Sequence, residues 1–143
     1  MKAHKWVQKV NGFTLIEVLV AIGVAAILMG IAVPQFYAVL PGIRLSSAAR
    51  QVATDLQLAR MRAISQRTPQ GLTFDSATTY RFTIGADTRD LSQLYPGTTV
   101  AVAPADPTFN TVGAANVTTI TLNNNGLPPR TVTVNAAGKI FTQ

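Results

Sequence analysis

The side chains that could carry out chemistry are few, and their types exclude most catalytic arrangements. The 143 residues contain no cysteine and one histidine, His4. Thiolate catalysis and disulfides are therefore excluded, and no histidine is available as a base or metal ligand after residue 4. Neither a phosphate-binding glycine loop nor a pair of catalytic carboxylates can be identified. The sequence predicts no catalytic residue, no cofactor and no enzymatic activity. The expected function of the protein is therefore binding and assembly.

Five of the six carboxylates lie in the body of the chain, most of them beside turn-forming residues: Asp55, Asp75, Asp87, Asp90 and Asp106. Asp87 and Asp90 could share a cation, but calcium takes roughly six to eight oxygen ligands and no EF-hand spacing is present. Aspartates in such positions more often stabilise turns through their side chains. We therefore expect turn caps here and no metal site.

The sixth carboxylate, Glu17, lies within a long apolar run. As a helix, residues 13–33 would span about 30 Å, which matches the hydrocarbon core of a bilayer. An unpaired carboxylate inside a bilayer costs on the order of 2 to 3 kcal/mol or more, and such residues are usually functional. From the residues alone, Glu17 either reaches the headgroups or is protonated, or it has a charged partner.

Basic residues precede this run and indicate its orientation. Lys2, Lys5 and Lys9 favour a cytoplasmic N-terminus, with the rest of the chain across the membrane. A secretory signal peptide begins in the same way, but the stretch GIAVPQF offers a poor processing site, and Gly12 before the run is the better candidate. Without the three lysines, 9 basic residues oppose 6 acidic ones, so the net charge falls from +6 to +3. The charge is therefore weak support for a nucleic-acid surface.

Composition divides the chain into four segments: a basic leader at 1–12, a transmembrane helix at 13–34, a continuing amphipathic helix at 35–67, and a β-rich body at 68–143. Pro34 is expected to kink or locally melt the helix just past the apolar run. The dipeptide Pro41-Gly42 is expected to interrupt its continuation.

The continuing helix has two apolar faces. One stripe recurs at spacings of four and three and is expected to face a sheet: Leu45, Ala49, Val52, Leu56, Ala59 and Ala63. A second set lies on nearly the opposite side: Phe36, Leu40, Ile43, Leu58 and Met61. Two apolar faces need two partners, although scattered surface residues would give the same pattern. The arginines of this helix are interpreted as a solvated face: Arg44, Arg50, Arg60, Arg62 and Arg67.

After Pro69 the pattern changes to short alternating strands. The stretches that read as strands are GLTFD, TYRFTI, TTVAVA, VTTITL, RTVTVN and KIFTQ, and the turn signals between them are SAT, NNNG and AAG. Residues 85–97 and 104–116 are expected to be loops, because their prolines and glycines disfavour helices and strands. The predicted class is α+β, a long N-terminal helix packed on an antiparallel sheet or pair of sheets.

The residues around Glu17 resemble a known processing signal. A basic leader, Gly12, Phe13 and then TLIE resemble, residue for residue, the type III signal of type IV pilins and type II secretion pseudopilins. The resemblance implies that a prepilin peptidase cleaves between Gly12 and Phe13 and methylates the new Phe13 amine. Glu17 then becomes the fifth residue of the mature chain, and its carboxylate pairs with the N-terminal amine of a neighbouring subunit. The second apolar face of the helix would contact neighbouring subunits in the filament.

Two further stretches resemble minor pseudopilin H and its FimT-like relatives: the helix RLSSAARQVATDLQLARMRAISQRTP and the closing segment ITLNNNGLPPRTVTVNAAGKI. The FimT branch is associated with DNA uptake through a basic tail of the form G, R, x, R. Here Gly138 is followed by Lys139, Ile140 and Phe141. Phosphate contacts normally need several cations acting together, so this departure argues against nucleic acid and favours secretion. The lack of cysteine also departs from major type IVa pilins, whose C-terminal loop is usually closed by a disulfide.

The resemblance implies a minor pseudopilin of a type II secretion system, a structural subunit near the tip of the periplasmic pseudopilus that helps to export folded proteins. Its partners would be the prepilin peptidase, the major G and minor I, J and K pseudopilins, the inner-membrane assembly platform and membrane lipid. The chain would cross the bacterial inner membrane once, with its body in the periplasm. The alternative is a minor type IV pilin that primes pilus assembly or DNA uptake. A membrane-anchored binding protein that never polymerises would leave Glu17 without a role.

Overall fold

The computed structural model describes residues 12–85 and 87–143, in which one long helix is followed by short strands. The helices are α1 (Leu15–Gln66) and the single-turn α2 (Leu91–Leu94). The strands are β1 (Gln70–Phe74), β2 (Thr79–Phe82), β3 (Thr88–Asp90), β4 (Thr98–Ala103), β5 (Thr108–Phe109), β6 (Thr118–Asn124), β7 (Arg130–Val134) and β8 (Ile140–Thr142). This order confirms the α+β class, with eight strands in the described residues where the sequence predicts five or six. The predicted leader, apart from Gly12, lies outside the described residues.

The chain separates into two units, one ending at Ala38 and the other comprising Val39–Gln143. In the first unit, every described residue except Ala25 is exposed. This unit therefore has no core of its own, and its apolar side chains face the surroundings.

The helix α1 includes both Pro34 and Pro41. The predicted interruption at Pro41-Gly42 is therefore wrong, and the helix does not melt at Pro34. Proline has a backbone φ that suits a helix, and each proline removes one N–H donor and crowds the carbonyl four residues before it, which is a local cost. The long helical segments on both sides supply enough hydrogen bonds to continue through these positions.

The second unit has a single core, formed by one face of α1 and both sheets. Every member of the predicted stripe is at most 2% exposed: Leu45, Ala49, Val52, Leu56, Ala59 and Ala63. Three of these six positions are alanine, which allows the helix backbone to lie close to the strands. The predicted internal face of the helix is confirmed.

Two four-stranded antiparallel sheets complete the core, with strand orders β3-β2-β1-β5 and β4-β6-β7-β8. Alternate residues of the second sheet are buried, as in the fully buried pair Val132 and Val134. The predicted SAT hairpin is confirmed, because β1 and β2 pair directly and the Asp75 N–H donates to the Thr79 carbonyl at 3.1 Å.

The segment 85–97, expected to be a loop, contains β3 and α2. Asp90 caps α2, because its carboxylate accepts hydrogen bonds from the Ser92 hydroxyl at 2.6 Å and the Ser92 N–H at 2.8 Å. These two bonds hold the pKa of Asp90 below its usual value. Leu91 is fully buried. The prediction of a cap at Asp90 is confirmed. The helix α2 itself was not predicted, because its four residues are too few to show a helical period.

A buried polar network joins α1 to the first sheet. Asp55 is 3% exposed, and its carboxylate accepts a hydrogen bond from the Tyr80 hydroxyl at 2.7 Å. Gln51 Nε2 donates to both carboxylate oxygens at 3.2 Å, and Arg89 Nε lies 3.8 Å from one of them. Burial, followed by the hydrogen bond to Asp55, raises the pKa of Tyr80 above its usual value. The Tyr80 hydroxyl therefore remains a donor at neutral pH, and Asp55 belongs to the core and not to a solvated face.

Replacing Tyr80 with phenylalanine is expected to lower the free energy of unfolding by about 1.5 to 3 kcal/mol, the usual contribution of a hydrogen bond to a charged group. The ring stays in the core, but the buried carboxylate loses its shortest partner. Urea unfolding of the purified full chain in detergent measures the change. Tyr95→Phe is the matched control, because Tyr95 also packs against the core and its hydroxyl has no partner among the described residues. Equal losses in the two variants would contradict a specific role for the Asp55 contact.

Candidate membrane and assembly segment

The residues at the start of α1 form a capped helix end that includes Glu17. The Glu17 N–H donates to the Thr14 carbonyl at 3.1 Å, and the Thr14 hydroxyl accepts a further contact from it at 3.3 Å. Thr14 and Glu17 have the spacing of a capping box, and a negative charge in the first turn is favoured by the helix dipole. Glu17 therefore suits the helix end even though its charge does not suit an apolar run.

Phe13 and Glu17 lie on the same side of this helix end. Both border one shallow depression, whose other walls are Val18, Ala21, Ile22 and Ala25. Phe13 is 83% exposed and precedes the first helical residue. Gly12, which precedes it, is also exposed. The predicted processing residues are thus exposed, and apolar atoms of Phe13 and Glu17 border the same depression.

The side chains that follow form an apolar cylinder open to its surroundings. The most apolar 18-residue window in α1 has a mean hydropathy of 2.6, and none of it is buried. By length and composition, this part of α1 is able to cross a membrane. The large exposed side chains between Leu15 and Val33 include Ile16, Leu19 and Ile27. Such a surface needs lipid or other helices to cover it.

The second apolar face is not uniform. Phe36, Ile43 and Met61 are 63%, 53% and 60% exposed, whereas Leu40 is partly buried. Leu58 is also partly buried and packs against the core of the second unit. A contact between subunits at Phe36, Ile43 and Met61 remains a prediction, and Leu58 contributes at least in part to the body itself.

Two helix arginines make contacts that the sequence analysis missed. Arg60 Nε donates to the Gly113 carbonyl at 3.0 Å. The Arg62 guanidinium lies 4.6 Å from the centre of the Phe82 ring and 3.7 Å from Asp87. The interpretation of these two arginines as solvated is wrong, because each side chain contacts residues that follow α1 in the chain. No periodic pattern in the helix signals these partners.

The acidic side chains are placed apart from one another and do not form a metal site in the part of the chain that the structure describes. Within residues 12–85 and 87–143, no three acidic or histidine side chains cluster. Asp75 instead pairs with Arg81 at 3.1 Å. Asp87 pairs with Arg62 in the same way, so the turn caps predicted at Asp75 and Asp87 are ion pairs with arginines.

Comparison with protein families gives two matches. Residues 48–139 match the family model of type II transport protein GspH. Residues 8–33 match the prokaryotic N-terminal methylation motif, which includes Gly12, Phe13 and Glu17. No curated protein sequence matches the chain.

Solved structures share the fold. The type IV minor pilin FimU of Pseudomonas aeruginosa is 20% identical, with a TM-score of 0.58 over 69% of this chain and 92% of that protein. The minor pseudopilin EpsH of the Vibrio cholerae type 2 secretion system is 13% identical, with a TM-score of 0.57 over 70% and 96%. GspH of Escherichia coli is 15% identical, with a TM-score of 0.56 over 73% and 90%. At these identities, the similarities establish the fold alone.

Proposed function

Because the chain belongs to the family of type II transport protein GspH, we propose that it is a minor pseudopilin of a type II secretion system. The chain is a minor pseudopilin or a minor type IV pilin, and proteins of both kinds have its fold. These relatives are structural subunits. The proposed role is to join other pseudopilins near the tip of a periplasmic filament that helps to export folded proteins.

The observation that carries this proposal is the placement of Glu17 and Phe13 on one side of an exposed apolar helix. After cleavage at Gly12, a methylated Phe13 amine would be a cation at the start of the helix. Glu17 would pair with that amine on a neighbouring subunit, so a costly charge in the apolar run would gain a partner. The pairing would fix the relative height of neighbouring helices, and the exposed Phe36, Ile43 and Met61 would contact those helices.

The same arrangement supports a location in the inner membrane. We propose that the exposed apolar part of α1 crosses the membrane once, with a cytoplasmic N-terminus and a periplasmic body. A prepilin peptidase and an assembly platform would act on the chain there, and the partners in the filament would be the major G and minor I, J and K pseudopilins.

A minor type IV pilin is the second candidate, and the similarity to FimU favours it. A role in DNA uptake would need a cluster of cations at the C-terminal turn. Lys139 lies there with its Nζ 5.0 Å from the centre of the Phe141 ring, while the nearby Arg60 donates to the carbonyls of Gly113 and Ala137. Binding to phosphates normally requires several free cations together. The secretion role is therefore preferred.

Deletion of the gene distinguishes the two roles. We expect the release of secreted proteins into the medium to fall to the background of a strain without the secretion system. Surface pili and uptake of labelled DNA should remain normal, because a pseudopilin serves neither. All three are measured in the same strain, and restoration by the intact gene is the control. Loss of pili or of DNA uptake with unchanged protein release would reject the pseudopilin role in favour of the minor pilin.

A further inference from the structure

A groove lies between α1 and the last strands of the body, and its lining does not include Glu17. It consists of two adjoining cavities of about 310 and 430 Å³ that share Ser46, Arg50 and Arg130. Arg50 belongs to α1 and Arg130 to β7, so two different elements each contribute an arginine to the lining of one groove. Thr142, at the end of β8, lines one side.

Neither guanidinium of this groove has a partner among residues 12–85 and 87–143. The ion pairs of this part of the chain use Arg62, Arg81 and Arg89. The side chains of Arg50 and Arg130 are both exposed and make no hydrogen bond there, in contrast to Arg60. Two arginines in one groove, without an ion-pair partner in the described part of the chain, provide positive charge that an anion could pair with.

The lining indicates which anion fits. Beside the arginines, the groove is lined by serines, by Thr142 and by Gln143, with apolar walls at Ala49 on one side and at the exposed Val39 and Ile43 at the other end. Apolar walls next to two arginines suit a carboxylate on an apolar peptide segment, because guanidinium groups bind carboxylates through two parallel hydrogen bonds. A nucleic acid would require a longer row of cations than two.

We propose that this groove binds an aspartate or glutamate side chain, together with its apolar neighbours, from an adjacent protein subunit of the filament. The inference rests on the proposed function, since it assumes that the chain assembles. It differs from the pairing of Glu17 in place and chemistry, because it uses the folded body and two arginines. The groove would select which subunit lies beside this one.

The test is site-specific cross-linking in cells that assemble the filament. A photoreactive amino acid at Thr142, on the rim of the groove, is expected to yield an adduct with another filament subunit at a peptide that contains Asp or Glu. The same amino acid at the exposed Gln57, which does not line the groove, is the positional control. The double variant Arg50→Glu and Arg130→Glu should reduce the Thr142 adduct by about tenfold or more. Arg67→Glu, also exposed but outside the groove, should leave it unchanged.

Four outcomes of the cross-linking experiment would contradict binding of an acidic side chain in the groove. An adduct at a subunit peptide without an acidic residue, an adduct with phospholipid or nucleic acid, or no adduct would overturn it. An adduct that persists in the double variant would do the same. Replacing Glu17 with alanine in parallel separates this inference from the filament role: normal assembly of that variant contradicts the proposed pairing of Glu17, whatever happens at Thr142. Resistance of all variants to added protease confirms that the body remains folded.

Discussion

Replacing Gly138 with alanine is expected to lower the free energy of unfolding by about 3 kcal/mol or more. Gly138 has a φ of +72°, and a β-carbon there would overlap the carbonyl oxygen of Gly113. That oxygen also accepts the hydrogen bond from Arg60. The added methyl group would therefore force apart two turns and loosen their attachment to α1. Thermal unfolding of the purified full chain in detergent measures the loss.

Gly126→Ala is the matched control for this prediction. Gly126 has a φ of +82°, close to that of Gly138, but a β-carbon there would meet open space. Its replacement should lower the free energy of unfolding by only about 1 to 2 kcal/mol, because alanine is strained in the left-handed backbone conformation. If the two variants lose the same stability, the close approach of Gly138 and Gly113 does not contribute to the fold as inferred here.

The turn at Gly138 also shows why the body could be predicted only in part from the sequence. The buried stripe on α1 is visible because its period is a local property of the chain, and the turn at AAG is visible because glycine favours a positive φ. The contacts of Arg60 join residues 53 and 77 positions apart. No local pattern carries such information, so the arginine was interpreted as solvated.

The same distinction applies to the functional residues. Glu17 stands out in the sequence because the cost of a charge in an apolar run depends only on its immediate neighbours. The groove at Arg50 and Arg130 does not stand out, because these residues lie 80 positions apart (130 minus 50) and line one groove only in the folded body. At Leu58 the local pattern is misleading. Periodicity assigns Leu58 to the outer face with Met61, but in the structure it packs against the core.

Replacing Glu17 with alanine is expected to reduce the incorporation of the chain into filaments by about tenfold or more, because a charge pair of the proposed kind contributes more than 1.4 kcal/mol. Helix formation should be retained, since the bonds that cap this helix end use the Glu17 N–H and not its side chain. The membrane-bound pool should not decrease, because removal of the carboxylate lowers the cost of insertion by about 2 to 3 kcal/mol. Quantifying the chain in sheared filaments and in membranes measures both effects.

Thr14→Ala is the control, since it removes the hydroxyl that caps the helix and leaves the carboxylate in place. It should cost about 1 kcal/mol of helix stability and leave incorporation nearly normal. Mass spectrometry of the mature N-terminus, for both variants, shows whether Phe13 is exposed by cleavage and methylated. An alanine variant that remains uncleaved would assign to Glu17 a role in recognition by the peptidase. Normal incorporation of a processed alanine variant would contradict the pairing of Glu17 in the filament, because the amine of the neighbouring subunit would then need no carboxylate within the apolar helix.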